Sequence, residues 1–203
     1  MESTINLNER IQYNLDFESL AISEKYSIYR TVYDGEFSKE AFLKRVEENR
    51  SLSYRGNAKE NHSLELSIEC PEFKSLDTFF LSSLKRIHSQ VSNRISKFSW
   101  VYTQTKDFTE HWMHDHKCLH RFNKSNLTTQ WVCVFYIQIP FKIEKKEGDL
   151  LFKDENGIFS KFTPKEREVI IFSGDLQHMT TPNQHSDIDR ISYVSNFNFI
   201  KIW

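Results

Sequence analysis

Residues 131–140 read W-V-C-V-F-Y-I-Q-I-P, a run in which nearly every side chain is apolar or aromatic. A run this short and this apolar suits a strand buried on both faces, since a half-exposed strand would alternate. Further strands are expected downstream at 149–153, 158–162, 168–172 and 190–200. They are separated by Gly148, Glu155-Asn156-Gly157, Pro164, Gly174 and Pro182. Upstream, 99–105 alternates, with Trp100, Tyr102 and Gln104 on one side and Val101 and Thr103 on the other. Strands at this spacing, with turn residues between them, predict a mainly β fold of the β-sandwich or jelly-roll kind.

The part before these strands is expected to be helical and mixed. Leu76, Phe80, Leu84, Ile87, Val91 and Ile95 recur at helical steps, which predicts a helix over 75–97 bracing the outer face of the sheet. Residues 26–32 alternate like a strand. Ser38 suits a helix cap before 39–49, where Phe42, Leu43 and Val46 make a short apolar stripe. Residues 51–62 are polar, contain Gly56-Asn57, and are expected to form a loop. No internal repeat is present. The expected organisation is an N-terminal mixed α/β extension over 1–70 packed on a β core over 71–203, one compact unit overall.

Composition narrows the function classes. The 203 residues carry a formal net charge of -1, which gives no electrostatic case for nucleic acid or an anionic membrane. The basic cluster at 142–146 is interrupted by Glu144 and followed by Glu147 and Asp149, as on a solvated face. No apolar run approaches a membrane span, and the opening Met1-Glu2-Ser3-Thr4 is too polar for a secretory signal. Cys70, Cys118 and Cys133 are odd in number and widely spaced, so a reducing cytoplasmic setting is expected and the Asn126 sequon is read as chance.

Three histidines fall where strand ends are expected. His114 and His116 are one residue apart, so on an extended chain they point to the same side. His178 follows the strand 168–172, beyond Ser173-Gly174-Asp175. Two ligands from one strand and one from a later strand make a facial metal site with three positions left open. An H-x-H pair alone does not identify such a site, and His88, His111, His120 and His185 are expected to be ordinary surface or hydrogen-bonded residues. Arg190 and Ser192 follow within Asp189-Arg190-Ile191-Ser192-Tyr193. An arginine inside a strand that reads as buried needs an anionic partner. A small dicarboxylate gripped by the guanidinium fork and a neighbouring hydroxyl would serve, and so would a salt bridge to Asp149 or Asp175.

Residues 100–200 resemble the Fe(II)/2-oxoglutarate dioxygenases, especially their prolyl-hydroxylase-like branch. The matching pieces, in order, are WVYTQTKDF, H-D-H, VCVFYIQIP, EGDLLFKDE, VIIFSGDLQHMTTP and DRISYVSNFNF. The resemblance implies a double-stranded β-helix (jelly roll, cupin-like) with Fe(II) on His114, His116 and His178 and dioxygen as oxidant. It implies that Arg190 and Ser192 hold the distal carboxylate of 2-oxoglutarate, that the Tyr136 hydroxyl supports it, and that Tyr102 or Gln104 faces cofactor or substrate. Leu151 and Phe172 would line the pocket. The implied reaction is hydroxylation of an amino acid, a peptide residue or a small amine-bearing metabolite, with release of succinate and carbon dioxide.

The chain departs from that family's pattern twice. His116 stands where the second ligand is usually Asp or Glu. The polar segment 117–130 is longer than usual and is expected to form a loop or lid over the site mouth. Desaturation or halogenation at the same site are alternatives, halogenation the weaker because His116 would fill the position it needs. A non-catalytic cupin-like β-sandwich binding a metal or ligand is the other. Substrate identity and oligomeric state are left open.

Overall fold

The computed structural model describes residues 15–48, 53–55, 58–61, 71–88, 95–106, 112–116, 128–140, 148–183 and 187–200. Their strands are β1 (Glu18–Ala21), β2 (Ser27–Val32), β3 (Ser53–Arg55), β4 (Ala58–Asn61), β5 (Ile95–Gln104), β6 (Thr128–Gln138), β7 (Leu150–Lys153), β8 (Phe159–Phe162), β9 (Glu168–Ser173), β10 (Gln177–Thr180) and β11 (Arg190–Ile200). Two helices, α1 (Lys39–Glu48) and α2 (Pro71–Ile87), accompany them. An eight-stranded sheet runs β1-β2-β9-β6-β11-β5-β4-β3 and a three-stranded sheet runs β10-β7-β8. All the pairings are antiparallel. The expectation of a mainly β, jelly-roll architecture with flanking helices holds.

The central strands explain the apolar run at 131–140. Their alternate side chains feed two separate cores. Cys133, Phe135 and Ile137 of β6, Val169 and Ile171 of β9, and Ile191, Tyr193 and Phe197 of β11 pack against the helices. Val132, Val134 and Tyr136, Ile170 and Phe172, and Val194 face the other way, toward Leu150, Phe152 and Phe162 of the small sheet. Both faces of the central strands are therefore covered, which is why the run in β6 is apolar on both sides.

Helix α2 supplies the cover on one side. Phe73, Leu76, Phe79, Phe80, Leu81 and Leu84 are all at most 2% exposed, each burial worth roughly 1.5–3 kcal/mol. The helix opens on Pro71, whose missing N–H is no loss in the first turn. In α1 the cap is as expected: Ser38 Oγ accepts from Ala41 N at 3.2 Å.

Three expectations are corrected. The helix expected over 75–97 spans Pro71–Ile87, and Ile95, which continues the helical spacing, starts β5 and pairs with Phe199. Ten residue pairs with β11 outweigh one residue of matching period; Val91 lies outside the described residues. The expected loop 51–62 contains β3 and β4, a polar hairpin that adds to β5 as the edge of the large sheet. An edge strand needs no apolar alternation to pair, which is why the pattern missed it. Residues 128–130 of the expected lid are the first residues of β6, and the rest of that segment, 117–127, lies outside the described residues. Likewise Asn126, Cys70 and Cys118 are outside them. Among the described residues no helix is long and apolar enough to cross a membrane.

Between α2 and the sheet lies a buried ion pair. The Lys97 ammonium reaches the Asp77 carboxylate, which also accepts from Tyr193 Oη at 3.1 Å and Ser195 Oγ at 3.3 Å. Burial pushes the Asp77 carboxyl up, and Lys97 opposes that shift. Asp77→Leu strands the ammonium without its counter-charge and should cost about 3–5 kcal/mol in urea unfolding, whereas Asp77→Leu with Lys97→Met should recover most of it. Equal losses in the two variants would mean that packing, not charge, is at stake.

Candidate metal centre and its pocket

The two sheets are joined where β9 passes into β10. Gly174 at this crossing lies so close to strand β6 that an added Cβ would fall 2.6 Å from the Gln130 side chain. The crossing delivers His178 onto β10, in register with Phe152 of β7. His114 meets it in an isolated antiparallel bridge, with His114 N donating to His178 O at 3.1 Å and His178 N to His114 O at 2.9 Å. A bridged pair of this kind presents both side chains on one face. Two residues on, His116 N donates to Gly174 O at 2.8 Å, and its ring turns to the same side.

The ligand nitrogens of His114, His116 and His178 lie within 4.8 Å of one another, and among the described residues this group is histidine alone. His116 Nε2 and His178 Nε2 are 3.2 Å apart. Two nitrogens bound at right angles to one metal at about 2.1 Å would be roughly 3 Å apart, so the spacing suits adjacent ligands. The tautomers suit it too. His114 Nδ1 lies 2.9 Å from Trp112 O and His178 Nδ1 lies 3.0 Å from Leu176 O. A carbonyl only accepts, so each Nδ1 carries the proton and each Nε2 keeps its lone pair.

Arg190 lines the same cavity as the three histidines. It is 2% exposed, and its Cζ sits 5.0 Å from the Tyr136 ring centroid. Burial pushes the Tyr136 phenol up to about 12, with the nearby guanidinium opposing, so the hydroxyl stays protonated. Among the described residues the phenol proton has no acceptor and Arg190 Nε has no hydrogen-bond partner. Ser192 lies between Tyr102 of β5 and Tyr136 of β6 in register, a row across three strands in which all three line the cavity. Neither salt-bridge alternative, Asp149 or Asp175, is paired with Arg190. Asp149 takes Thr163 Oγ1 at 2.8 Å and Lys161 at 3.4 Å, and Asp175 takes Tyr26 Oη at 3.0 Å and Lys25 at 3.4 Å.

Two expected pocket residues are placed differently. Gln104 is opposite Arg190 in register but is not part of the cavity wall; its Nε2 donates to Thr181 O at 2.7 Å. Leu150 lines the cavity in place of Leu151, because β7 turns alternate residues inward and two adjacent leucines hide the parity. Phe172 lines it as expected. Trp100 and Thr180 are further wall residues, each two positions from a residue already singled out, Tyr102 and His178. His88 lies beside Trp131, its ring centroid 6.1 Å away, and is not in the cluster. His111, His120 and His185 lie outside the described residues.

No protein-family profile matches the sequence, and no curated protein does. Solved structures do match by shape. The non-haem α-ketoglutarate-dependent carbocyclase SnoK from nogalamycin biosynthesis is 12% identical, with a TM-score of 0.65 over 85% of this chain and 79% of that one. The chain has the fold of the 2-oxoglutarate–Fe(II) oxygenases. A prolyl hydroxylase from Trichoplax adhaerens, in complex with a hypoxia-inducible-factor peptide, is 13% identical with a TM-score of 0.60, covering 85% and 83%. HygX from Streptomyces hygroscopicus, with nickel and 2-oxoglutarate bound, is 12% identical with a TM-score of 0.56, covering 83% and 82%.

Proposed function

We propose that this chain is an Fe(II)/2-oxoglutarate-dependent oxygenase that hydroxylates an amino acid, a peptide residue or a small amine-bearing metabolite. The observation that carries the proposal is one cavity holding two kinds of unmet demand. Three imidazoles converge in it, and among the described residues the Nε of a buried guanidinium and a protonated phenol in its wall lack an acceptor. A metal answers the first and a carboxylate the second. When bound, iron with 2-oxoglutarate and dioxygen supplies the oxidising chemistry, and the cosubstrate leaves as succinate and carbon dioxide.

The chain's own residues then have distinct tasks. His114, His116 and His178 hold the metal through Nε2 and leave its other positions free. Arg190 and Tyr136 donate to the far carboxylate, and Ser192 stands beside them. Trp100, Val134 and Phe172 give the cavity apolar walls that keep water from the reacting centre. The free, buried Cys133 suits a reducing compartment, which supports a cytoplasmic location.

The test is anaerobic titration of the Fe(II)-loaded protein with 2-oxoglutarate. A visible charge-transfer band should grow to one equivalent, and admitting oxygen should bleach it with succinate formed. A loaded protein that gives no band and makes no succinate would instead favour a metal- or ligand-binding β-sandwich without oxidation.

A further inference from the structure

The three histidines do not have equivalent supports. His114 and His178 each donate Nδ1–H to a backbone carbonyl, and no side-chain substitution can remove that acceptor. The Nδ1 of His116 instead faces a side-chain amide, that of Asn196, whose Nδ2 is 2.9 Å away. Asn196 is 1% exposed, on β11, on the same face as Arg190 and Ser192. The other side of the imidazole packs against Trp100, with ring centroids 5.7 Å apart.

The two ends of a carboxamide have nearly the same shape but opposite hydrogen-bonding sense. An amide NH2 turned to His116 would require a bare Nδ1, put the proton on Nε2 and abolish its lone pair. In the structure the NH2 is the end turned to His116, and the Asn196 oxygen has no partner among the described residues. Reversing the amide moves that unmet demand to the NH2, so the choice of end rests on what His116 needs as a ligand. The carbonyl end turned to His116 accepts from Nδ1–H and frees Nε2, as the backbone carbonyls do for the other two rings. It also places an acceptor behind a metal-bound imidazole, where such a partner orients the ring and raises its basicity.

We infer that Asn196 is a positioning residue that fixes the Nδ1–H tautomer of His116 through its side-chain oxygen, and so makes His116 competent as the third metal ligand. This rests on the reading of the three histidines as a metal site. Through β11 the same strand face that grips the cosubstrate then also sets the metal's histidine supply.

Metal binding without turnover tests it. Co(II) alone is titrated against a chelator into wild type, Asn196→Leu and Asn196→Asp, with the d–d spectrum recorded. Asn196→Leu removes the acceptor at similar size and should weaken Co(II) about 10- to 100-fold, with altered d–d bands. Asn196→Asp keeps an acceptor and should hold Co(II) at least as tightly as wild type. Wild-type affinity in Asn196→Leu, or equal loss in both variants, overturns the assignment. Long-range proton–nitrogen correlation on histidine-labelled, metal-free wild type provides an arm that needs no variant to fold. It should find the His116 proton on Nδ1, and a proton on Nε2 overturns the assignment. Wild type that binds no Co(II) would refute the metal reading instead, while the tautomer still decides the role of Asn196.

Discussion

His116→Ala should lose most of its Fe(II), while Asp115→Asn keeps a full equivalent. The residue between the two histidines is a carboxylate, and a carboxylate is the commoner partner of two histidines at such sites, so the pair of variants is a sharp choice. The backbone argues for His116. His114 is locked face to face with His178 by two mutual hydrogen bonds, and His116 is the next residue of the same parity. Its Nε2 already lies 3.2 Å from that of His178. Removing one of three ligands should cost more than the roughly 10- to 100-fold typical of losing an outer hydrogen-bond partner. Iron counted by chelator release after gel filtration gives the answer. Iron retained in His116→Ala and lost in Asp115→Asn would establish a two-histidine, one-carboxylate site. An all-imidazole set leaves the metal one unit more positive than that alternative, which favours an anionic cosubstrate.

Arg190→Met should weaken 2-oxoglutarate binding about 30- to 1000-fold, the equivalent of 2–4 kcal/mol for desolvated, charge-assisted hydrogen bonds. Iron content should stay within error of wild type. A second measurement separates a ligand-gripping arginine from a structural one. Among the described residues Arg190 forms no ion pair, and its Nε lacks a partner. Replacing an unpaired buried guanidinium with an apolar chain of similar volume should therefore leave the cosubstrate-free protein as stable as before, or more so. Excess 2-oxoglutarate should raise the melting point of wild type and barely that of the variant. Wild-type affinity in folded Arg190→Met would remove Arg190 from the cosubstrate site.

Much of this arrangement could be read from residue order, and the limits have physical causes. The double burial of β6 was legible because both its faces are apolar. Which face meets the helices was not, since Val132 and Cys133 look alike to a pattern. Leu150 and Leu151 pose the same parity problem, and there the wrong one was expected in the wall. The hairpin β3–β4 was hidden by polar side chains that an edge position allows. Arg190 was legible as a charge in an apolar strand. Asn196 was missed because a buried amide is less conspicuous than a buried guanidinium. Its signal was present nonetheless, six residues on and of the same parity as Arg190 and Ser192.

Strand β11 is hydrogen-bonded along its length by β5 on one side and β6 on the other. Freeing any of its backbone from the middle of the sheet would mean parting two neighbours at once, an opening that approaches complete unfolding in cost. By contrast, the His114–His116 segment meets the described structure through two backbone hydrogen bonds to His178, one to Gly174 and the His116 ring against Asn196 and His178. The cavity thus sets a wall paired on both sides along its length against a clasp that joins the described structure chiefly through His178, Gly174 and Asn196. Metal loading would mostly quieten the clasp, and the grip on the dicarboxylate would exist beforehand, so the entropy of ordering falls on one partner rather than on both.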